Sequence, residues 1–276
     1  MRMDILAVEV VGILLYFIVF YIAYKIKKLD FLVYVTVFAI LFENLNVLLF
    51  ADVTSGYFYS NEFLIYIFRT PLFIFLDWAI LIFGAYLLSL KLKMSKISRV
   101  FFIPLFVTIV DFVIEGVSVN LGYWTWSAAV GGGNIFSFIP PSNFAGWIGV
   151  VFGFILCYEY LDRKWLSMFL GYVVFIGVAV FFVFTLGIVF LIFLICFVYS
   201  YHYNKILKKN KKDFRVNYFY ANWVVYMRGF FYLYALYYFF VYRHYLDLVY
   251  DLVLIGVLVV EVYFFLRFKG ILKKKI

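Results

Sequence analysis

Charged residues are scarce in this chain. Lys, Arg, Asp and Glu make up 14% of its 276 residues, whereas 68% are hydrophobic and 25% are aromatic. A soluble domain of this length could not keep so much apolar surface away from water. The apolar residues form continuous runs that are long enough, as helices, to cross a hydrocarbon core about 30 Å thick. Because a transmembrane barrel would show short segments of alternating polarity, the sequence predicts an all-α, polytopic transmembrane helical bundle.

Residues and motifs that bind metals or cofactors are equally sparse. The two cysteines, Cys157 and Cys196, lie in apolar segments and show no disulfide or metal spacing. The two histidines, His202 and His244, fall at opposite faces of a nine-span bundle, which argues against a His metal site. The chain has no P-loop, no GxSxG and no GxGxxG after a strand. It also lacks the paired Asp-rich motifs that would hold Mg²⁺ and a diphosphate. We therefore expect no metal and no cofactor.

The apolar runs predict nine spans. The run 166–203 is too long for one crossing, and Thr185 and Gly187 offer the turn that would divide it. Without that division the count is eight. No internal repeat and no low-complexity linker interrupts the chain, so we expect one integral membrane domain over residues 1–276. The predicted spans are 5–24, 31–50, 64–90, 100–117, 144–160, 165–184, 187–203, 223–242 and 248–267.

The net charge of +9 comes from Lys and Arg clustered beside the apolar runs. This distribution is typical of cytoplasmic loops that contact anionic lipid, and it does not indicate nucleic-acid binding. With nine spans every basic cluster falls on one side, whereas eight spans would place the cluster 205–215 opposite the others. The pattern predicts a multi-pass protein of the cell membrane, with its N-terminus outside and its C-terminus in the cytoplasm.

Several acids lie at membrane depth, where a charge is costly and therefore suggests a function. Asp111 and Glu115 are one helical turn apart on the predicted fourth helix, so they share a face. We expect them to join polar and aromatic residues from helices two to five, residues 31–160, around a common cavity near the outer surface. The other expected members are Glu43, Asn44, Arg69, Asp77, Trp124, Trp126, Asn143 and Trp147.

Each of these residues also has a structural interpretation. Arg69 could be the partner that makes Glu43 or Asp77 tolerable in a low dielectric. Trp124 and Trp126 could belong to an interfacial aromatic belt, and Asn143 could cap the fifth helix. The acids Glu9, Glu159 and Asp251 lie near helix ends and are expected to be solvated, and Arg228 and Glu261 are expected to be structural.

Two sequence blocks resemble a known family. The block D-x-x-x-E-G-V-S-V-x-x-G-Y-W-T-W…G…I-P-x-S-N-F-x-G-W runs from Asp111 to Trp147, and E-N-L-N-V…G-Y-F-Y-S-N-E-F…T-P-L-F-I-x-L-x-W runs from Glu43 to Trp78. Both resemble the carotenoid biosynthesis membrane proteins, whose characterised members include carotenoid 1,2-hydratases. Members commonly have Asp-Pro or Glu-Pro where this chain has Glu115-Gly116, so the local helix geometry is expected to differ.

The resemblance implies a hydro-lyase that adds water to the terminal C=C of a linear polyene without a cofactor. Protonation of an alkene needs an acid that keeps its proton near neutral pH, and burial favours the protonated carboxyl. Under this interpretation Glu115 or Asp111 donates the proton, the other orients the water, and Glu43 is a third participant. Arg69 would hold one acid ionised. Trp124 and Trp126 would stabilise the cation, while Asn143 or Asn44 would help to orient the water.

Two other functions are compatible with the sequence. A transporter or ion-coupled carrier would use the same acids to bind protons or substrate, but it would favour an inverted repeat and broken helices. A non-catalytic scaffold would use them to join its helices. The hydratase interpretation predicts a lipid-soluble polyene or isoprenoid as substrate and a deep apolar groove that ends at the acids.

Overall fold

The structure, a computed structural model, describes residues 2–50, 56–127, 139–184, 189–207, 218–241 and 248–268. Within these residues the chain forms nine α-helices, four short strands and a 3-10 turn at Lys164–Leu166. The helices are α1 (Met3–Lys25), α2 (Leu29–Phe50), α3 (Leu72–Lys91), α4 (Lys96–Asn120), α5 (Pro141–Tyr160), α6 (Ser167–Phe184), α7 (Val189–Leu207), α8 (Tyr218–Val241) and α9 (Leu248–Phe268). The strands are β1 (Tyr57–Tyr59), β2 (Tyr66–Ile67), β3 (Thr70–Pro71) and β4 (Trp124–Trp126).

Six of the described helices, α1 to α5 and α9, are long and apolar enough to cross a membrane. The predicted all-α membrane bundle is confirmed at this level, whereas the number of crossings and the orientation stay predictions. The run 166–203 does contain two helices, α6 and α7. The predicted turn residues Thr185 and Gly187 lie outside the described residues, as do His244 and most of the basic cluster 205–215.

The predicted start of the third helix is wrong. Helix α3 begins at Leu72, and the preceding residues form a hairpin of β2 and β3 instead of a helical turn. A residue before proline is pushed towards the extended region, and Thr70 pairs as a strand just before Pro71. Phe68 has a φ of 59°, which closes the hairpin. Arg69 therefore lies in an exposed turn outside the bundle and not in a helix.

The hairpin is attached to α1 through Glu9. The carboxylate of Glu9 accepts the backbone N–H groups of Leu64 at 2.8 Å and Ile65 at 3.2 Å. Only 2% of Glu9 is exposed, so the expectation of a solvated acid is wrong here. These two N–H groups are satisfied outside any helix, which further explains why helical structure does not extend back to residue 64.

Two other acids form ion pairs. Glu159 accepts two hydrogen bonds from the guanidinium of Arg99, at 2.6 and 2.8 Å, and is 4% exposed, so it is not solvated as expected. Arg228 pairs with Glu261 at 2.6 Å, which agrees with the structural role expected for both. Asp251 is half-buried on α9.

Helix α3 forms the centre of the bundle. Most of its residues are buried, and it packs against α1, α2, α4 and α8. Helix α4 packs against α3, α5, α7, α8 and α9. Helices α5 and α6 approach so closely that a Cβ on Gly153 would lie 2.3 Å from the carbonyl oxygen of Gly171. The segments before α3 and after α4 meet above this core and pair as β1 and β4.

Candidate functional site

A two-stranded antiparallel pair brings two connecting segments together at one end of the bundle. Strand β1 follows α2, and β4 follows α4. Tyr57 is paired with Trp126, and Tyr59 is paired with Trp124. Because side chains alternate along a strand, these four aromatic residues share one face of the pair. The residue between the two tyrosines, Phe58, is 46% exposed on the opposite face.

Glu43 on α2 is held by three hydrogen-bond donors. Its Oε2 accepts the hydroxyls of Tyr57 at 2.5 Å and Tyr59 at 3.0 Å. Its Oε1 accepts the indole N–H of Trp78 on α3 at 2.6 Å. Only 3% of Glu43 is exposed. Donors to a carboxylate stabilise its charge, so these three hydrogen bonds offset part of the cost of burying Glu43.

The two tyrosines remain donors at any ordinary pH. Burial of the Tyr57 hydroxyl, together with the adjacent Glu43 carboxylate, raises the pKa of Tyr57 well above the usual phenol value. The same two causes raise the pKa of Tyr59 well above that value. Neither phenol therefore loses the proton that it donates to Glu43.

Glu115 on α4 is held in the same manner by strand β4. Its Oε1 accepts the indole N–H groups of Trp124 at 2.8 Å and Trp126 at 2.7 Å. Glu115 is 2% exposed. The ring of Trp126 also lies 4.9 Å from the ring of Tyr57, measured between centroids. The strand pair therefore supplies hydrogen-bond donors to two separate carboxyl groups.

Asp111 lies one turn before Glu115 on α4 and is fully buried. Its Oδ2 accepts the side-chain N–H of Asn143 on α5 at 2.9 Å. The carboxyl groups of Asp111 and Glu115 are also within hydrogen-bonding reach of each other. Two adjacent carboxylates without a cation repel each other strongly, and such a pair commonly shares one proton.

A cavity of about 300 Å³ lies beneath the strand pair, bounded by helices α1 to α6 and α8. Glu43, Asp77 and Glu115 line it, whereas Asp111 does not. The remaining wall is mostly apolar and aromatic. It includes Phe42, Tyr57, Tyr59, Phe73, Trp78, Leu81, Ile114, Trp124, Trp126, Asn143, Trp147, Val150, Phe175, Ile176, Phe230, Phe231 and Tyr234.

Stacked indole rings form one wall of the cavity. The rings of Trp78 and Trp147 stack with centroids 3.9 Å apart. Phe42 meets Trp78 edge-on at 4.9 Å. Aromatic faces attract cations, and the described residues that line the cavity include no Lys, Arg or His. The cavity therefore combines negative carboxyl groups with aromatic faces and lacks a cationic side chain among those residues.

Most of the predicted site residues line this cavity, but Asp111, Arg69 and Asn44 do not. Arg69 is exposed in the β2–β3 turn, and its backbone N–H donates to the side-chain oxygen of Asn44 at 3.1 Å. The side-chain N–H of Asn44 donates to the carbonyl of Ile40 at 2.8 Å. The prediction that Arg69 would hold an acid ionised is not met, because phenol and indole groups contact the carboxyls instead.

Three donors at the site, Tyr57, Tyr59 and Trp78, were not predicted from the sequence. One signal for the tyrosines was present. Tyr57-Phe58-Tyr59 has the same alternation as Trp124-Thr125-Trp126, and a period of two is typical of strands. Trp78 gives no such signal, because it lies within an apolar helix. In the part of the chain that the structure describes, no group of three or more His, Cys, Asp or Glu is placed to hold a metal ion.

A comparison with models of protein families gives a match over most of the chain. Residues 5–207 match the family model described as carotenoid biosynthesis protein. The match contains nearly all of α1, the whole of α2 to α7 and the three carboxyl groups among the described residues that line the cavity, whereas α8 lies beyond it. No curated protein and no solved structure matches the chain. The family match extends over well more than half of the chain, and its helices are apolar enough for a membrane, so the protein belongs to the carotenoid biosynthesis protein family and is a membrane protein.

Proposed function

We propose that this protein is a cofactor-independent, multi-pass hydratase of the cell membrane that adds water to the terminal C=C of a linear polyene. The observation that carries the proposal is the cavity in which Glu43, Asp77 and Glu115 meet stacked aromatic rings without any cationic side chain among the described lining residues. Membership of the carotenoid biosynthesis family supports a role in carotenoid metabolism.

The reaction needs three groups, each of which has candidates in the cavity. An acid transfers a proton to one alkene carbon, which leaves a tertiary cation on its neighbour. Carboxylates and aromatic faces stabilise that cation, a task that suits Glu43, Glu115 and Trp147. Water then adds to the cation and releases a proton to a carboxylate. The product is a tertiary alcohol, the acid regains its proton, and one water is added overall.

The size and polarity of the cavity fit one end of a long polyene. At about 300 Å³ it lies at the lower end of the range for ligand pockets. Its wall is largely apolar and includes Phe50, which is 39% exposed. The substrate class dissolves only in lipid, so a site within a membrane bundle can bind the terminal unit while the rest of the chain stays in the hydrocarbon.

Expression in a bacterial host that makes lycopene tests the proposal directly. We expect a product heavier by one water in the wild type and a loss of that product in Glu115→Gln and Asp111→Asn. Glu62→Gln is the matched control, because it removes an exposed carboxylate outside the cavity. Absence of hydrated polyene, with the protein present in the membrane, would contradict the proposal and favour a carrier or a scaffold.

A further inference from the structure

Asp77 differs from the other acids of the cavity in having no partner among the described residues. It lies on α3 and lines the cavity next to Trp78 in the sequence. Its Oδ1 is buried, and within the described residues no hydrogen-bond donor and no cation contacts the carboxyl group. Buried polar groups in proteins are nearly always hydrogen-bonded, so an exception needs an explanation.

The three cavity carboxyls therefore differ in how many donors would stabilise a negative charge. Glu43 accepts three hydrogen bonds and Glu115 accepts two, and each of these stabilises a carboxylate. Asp77 receives no such help in an apolar wall, where an unpaired charge is very costly. A carboxyl in these surroundings keeps its proton. Environments that separate the protonation of neighbouring acids assign the acid and base roles of an active site.

Space for the Asp77 carboxyl comes from Gly12 on α1. A Cβ at Gly12 would lie 3.3 Å from Oδ1 of Asp77 and 3.4 Å from the Cβ of Phe73. Any side chain at position 12 would press on the carboxyl group. The close passage of α1 therefore leaves room for Asp77 but supplies it with no hydrogen-bond donor.

We propose that Asp77 is the catalytic acid of this cavity and transfers its proton to the alkene, while the hydrogen-bonded carboxyl groups of Glu43 and Glu115 face the cation that forms. The inference rests on the proposed hydratase function. In the first step the O–H bond of Asp77 breaks, a C–H bond forms, and the alkene electron pair is used, which leaves a tertiary cation and an Asp77 carboxylate. Water then forms the C–O bond and loses one proton to Asp77, directly or through a second water.

The position of Asp77 relative to Glu43 suits this division of roles. Successive residues on a helix project about 100° apart, so Asp77 and Trp78 enter the cavity from adjacent faces of α3. The indole of Trp78 donates to Glu43. Asp77, the proposed proton donor, therefore lies next to the residue that binds Glu43, the carboxylate that would stabilise the new cation. The Asp111–Glu115 pair is a second candidate for the proton donor, but Asp111 does not line the cavity and Oε1 of Glu115 is already engaged by two indoles.

Membranes incubated with lycopene in D₂O test this assignment, because reversible protonation places deuterium in the recovered polyene even when no alcohol forms. We expect Asp77→Asn to lower both deuterium incorporation and hydration by about a hundredfold or more. Asp77→Glu should restore part of both. Glu115→Gln should lower hydration but exchange deuterium faster than Asp77→Asn.

Two further measurements separate an acid from a structural residue. Asp77 makes no hydrogen bond to the described residues that its replacement could break, so Asp77→Asn should keep the thermal stability of the wild type in detergent. Gly12→Ala should slow both reactions by crowding the carboxyl, whereas Gly256→Ala, which meets no atom within 4 Å, should not.

The possible outcomes are distinct. Hydration and exchange by Asp77→Asn within tenfold of the wild type would overturn the assignment and leave the hydratase function intact. Loss of exchange in Glu115→Gln but not in Asp77→Asn would assign the proton to the Asp111–Glu115 pair instead. Wild-type membranes could exchange deuterium in an Asp77-dependent manner but form no alcohol. That result would support Asp77 as the proton donor and overturn the hydratase function. Absence of both reactions would overturn both proposals.

Discussion

Replacing Tyr57 with Phe should measure how strongly the strand pair holds Glu43. The substitution removes the hydroxyl that donates to Oε2 of Glu43 at 2.5 Å and leaves the ring against Trp126. A hydrogen bond to a charged group contributes about 1.5–3 kcal/mol, and the loss of a donor to a buried carboxylate lies in the upper part of that range. The folding equilibrium constant should therefore fall roughly 10- to 150-fold, since 1.4 kcal/mol corresponds to tenfold.

The assay is equilibrium unfolding in mixed micelles by SDS titration, followed by tryptophan fluorescence. Tyr24→Phe is the matched control, because Tyr24 is 63% exposed and the same hydroxyl is removed outside the cavity. A double-mutant cycle isolates the contact itself. In a Glu43→Gln background the hydrogen bond is neutral, so Tyr57→Phe should cost only about 0.5–1.5 kcal/mol.

Two results would refute the reasoning. The first is a cost for Tyr57→Phe no larger than that for Tyr24→Phe. The second is an equal cost for Tyr57→Phe in the wild-type and Glu43→Gln backgrounds, which would mean that the hydroxyl stabilises the fold without sensing a charge at Glu43. Tyr59→Phe extends the series, and its longer contact of 3.0 Å predicts a smaller cost than that of Tyr57→Phe.

Two further predictions concern the bundle that supports the site. Gly153→Ala should destabilise the protein by about 1–3 kcal/mol or more, because its Cβ would lie 2.3 Å from the Gly171 carbonyl oxygen; Gly177→Ala, which meets no atom within 4 Å, is the control, and equal unfolding midpoints would contradict the close helix contact. Glu159→Gln should cost about 3 kcal/mol because it leaves Arg99 without its buried partner. The Glu159→Gln protein that remains folded should keep the hydration rate per molecule of the wild type, because the ion pair lies near the other end of α5 from the cavity. A lower rate per folded molecule would contradict that separation.

The sequence predicted the bundle well because a helix in lipid is specified locally. A run of about 20 apolar residues satisfies its own backbone hydrogen bonds and needs no information from elsewhere in the chain. The same criterion fails at the start of α3. Residues 64–71 are apolar enough to extend the helix, yet a distant carboxylate, that of Glu9, binds the N–H groups of Leu64 and Ile65 and a hairpin forms.

The acids of the site could be predicted because an acidic side chain at membrane depth costs free energy. Their hydrogen-bond partners could not be predicted. Asp111 and Glu115 share a helix, so their proximity follows from a spacing of four residues. The contacts of Glu43 with Tyr57 and Tyr59 depend on how β1 turns back over the bundle, and the register of β1 with β4 joins segments that are distant in the sequence. No local pattern specifies that pairing. Electrostatics alone suggested Arg69 as the partner, and the chain uses neutral donors instead.

The use of neutral donors has a consequence for the chemistry of the cavity. An arginine paired with Glu43 would cancel the charge of the carboxylate and leave little field to act on a substrate. Phenol and indole groups stabilise a carboxylate without cancelling its charge, so Glu43 and Glu115 can present negative potential to an apolar cavity. A neutral polyene gains little from that potential, whereas the tertiary cation formed by protonation gains much. Stabilisation that acts on the cation and not on the substrate is the kind that accelerates a reaction, and exposure of Arg69 outside the cavity preserves it.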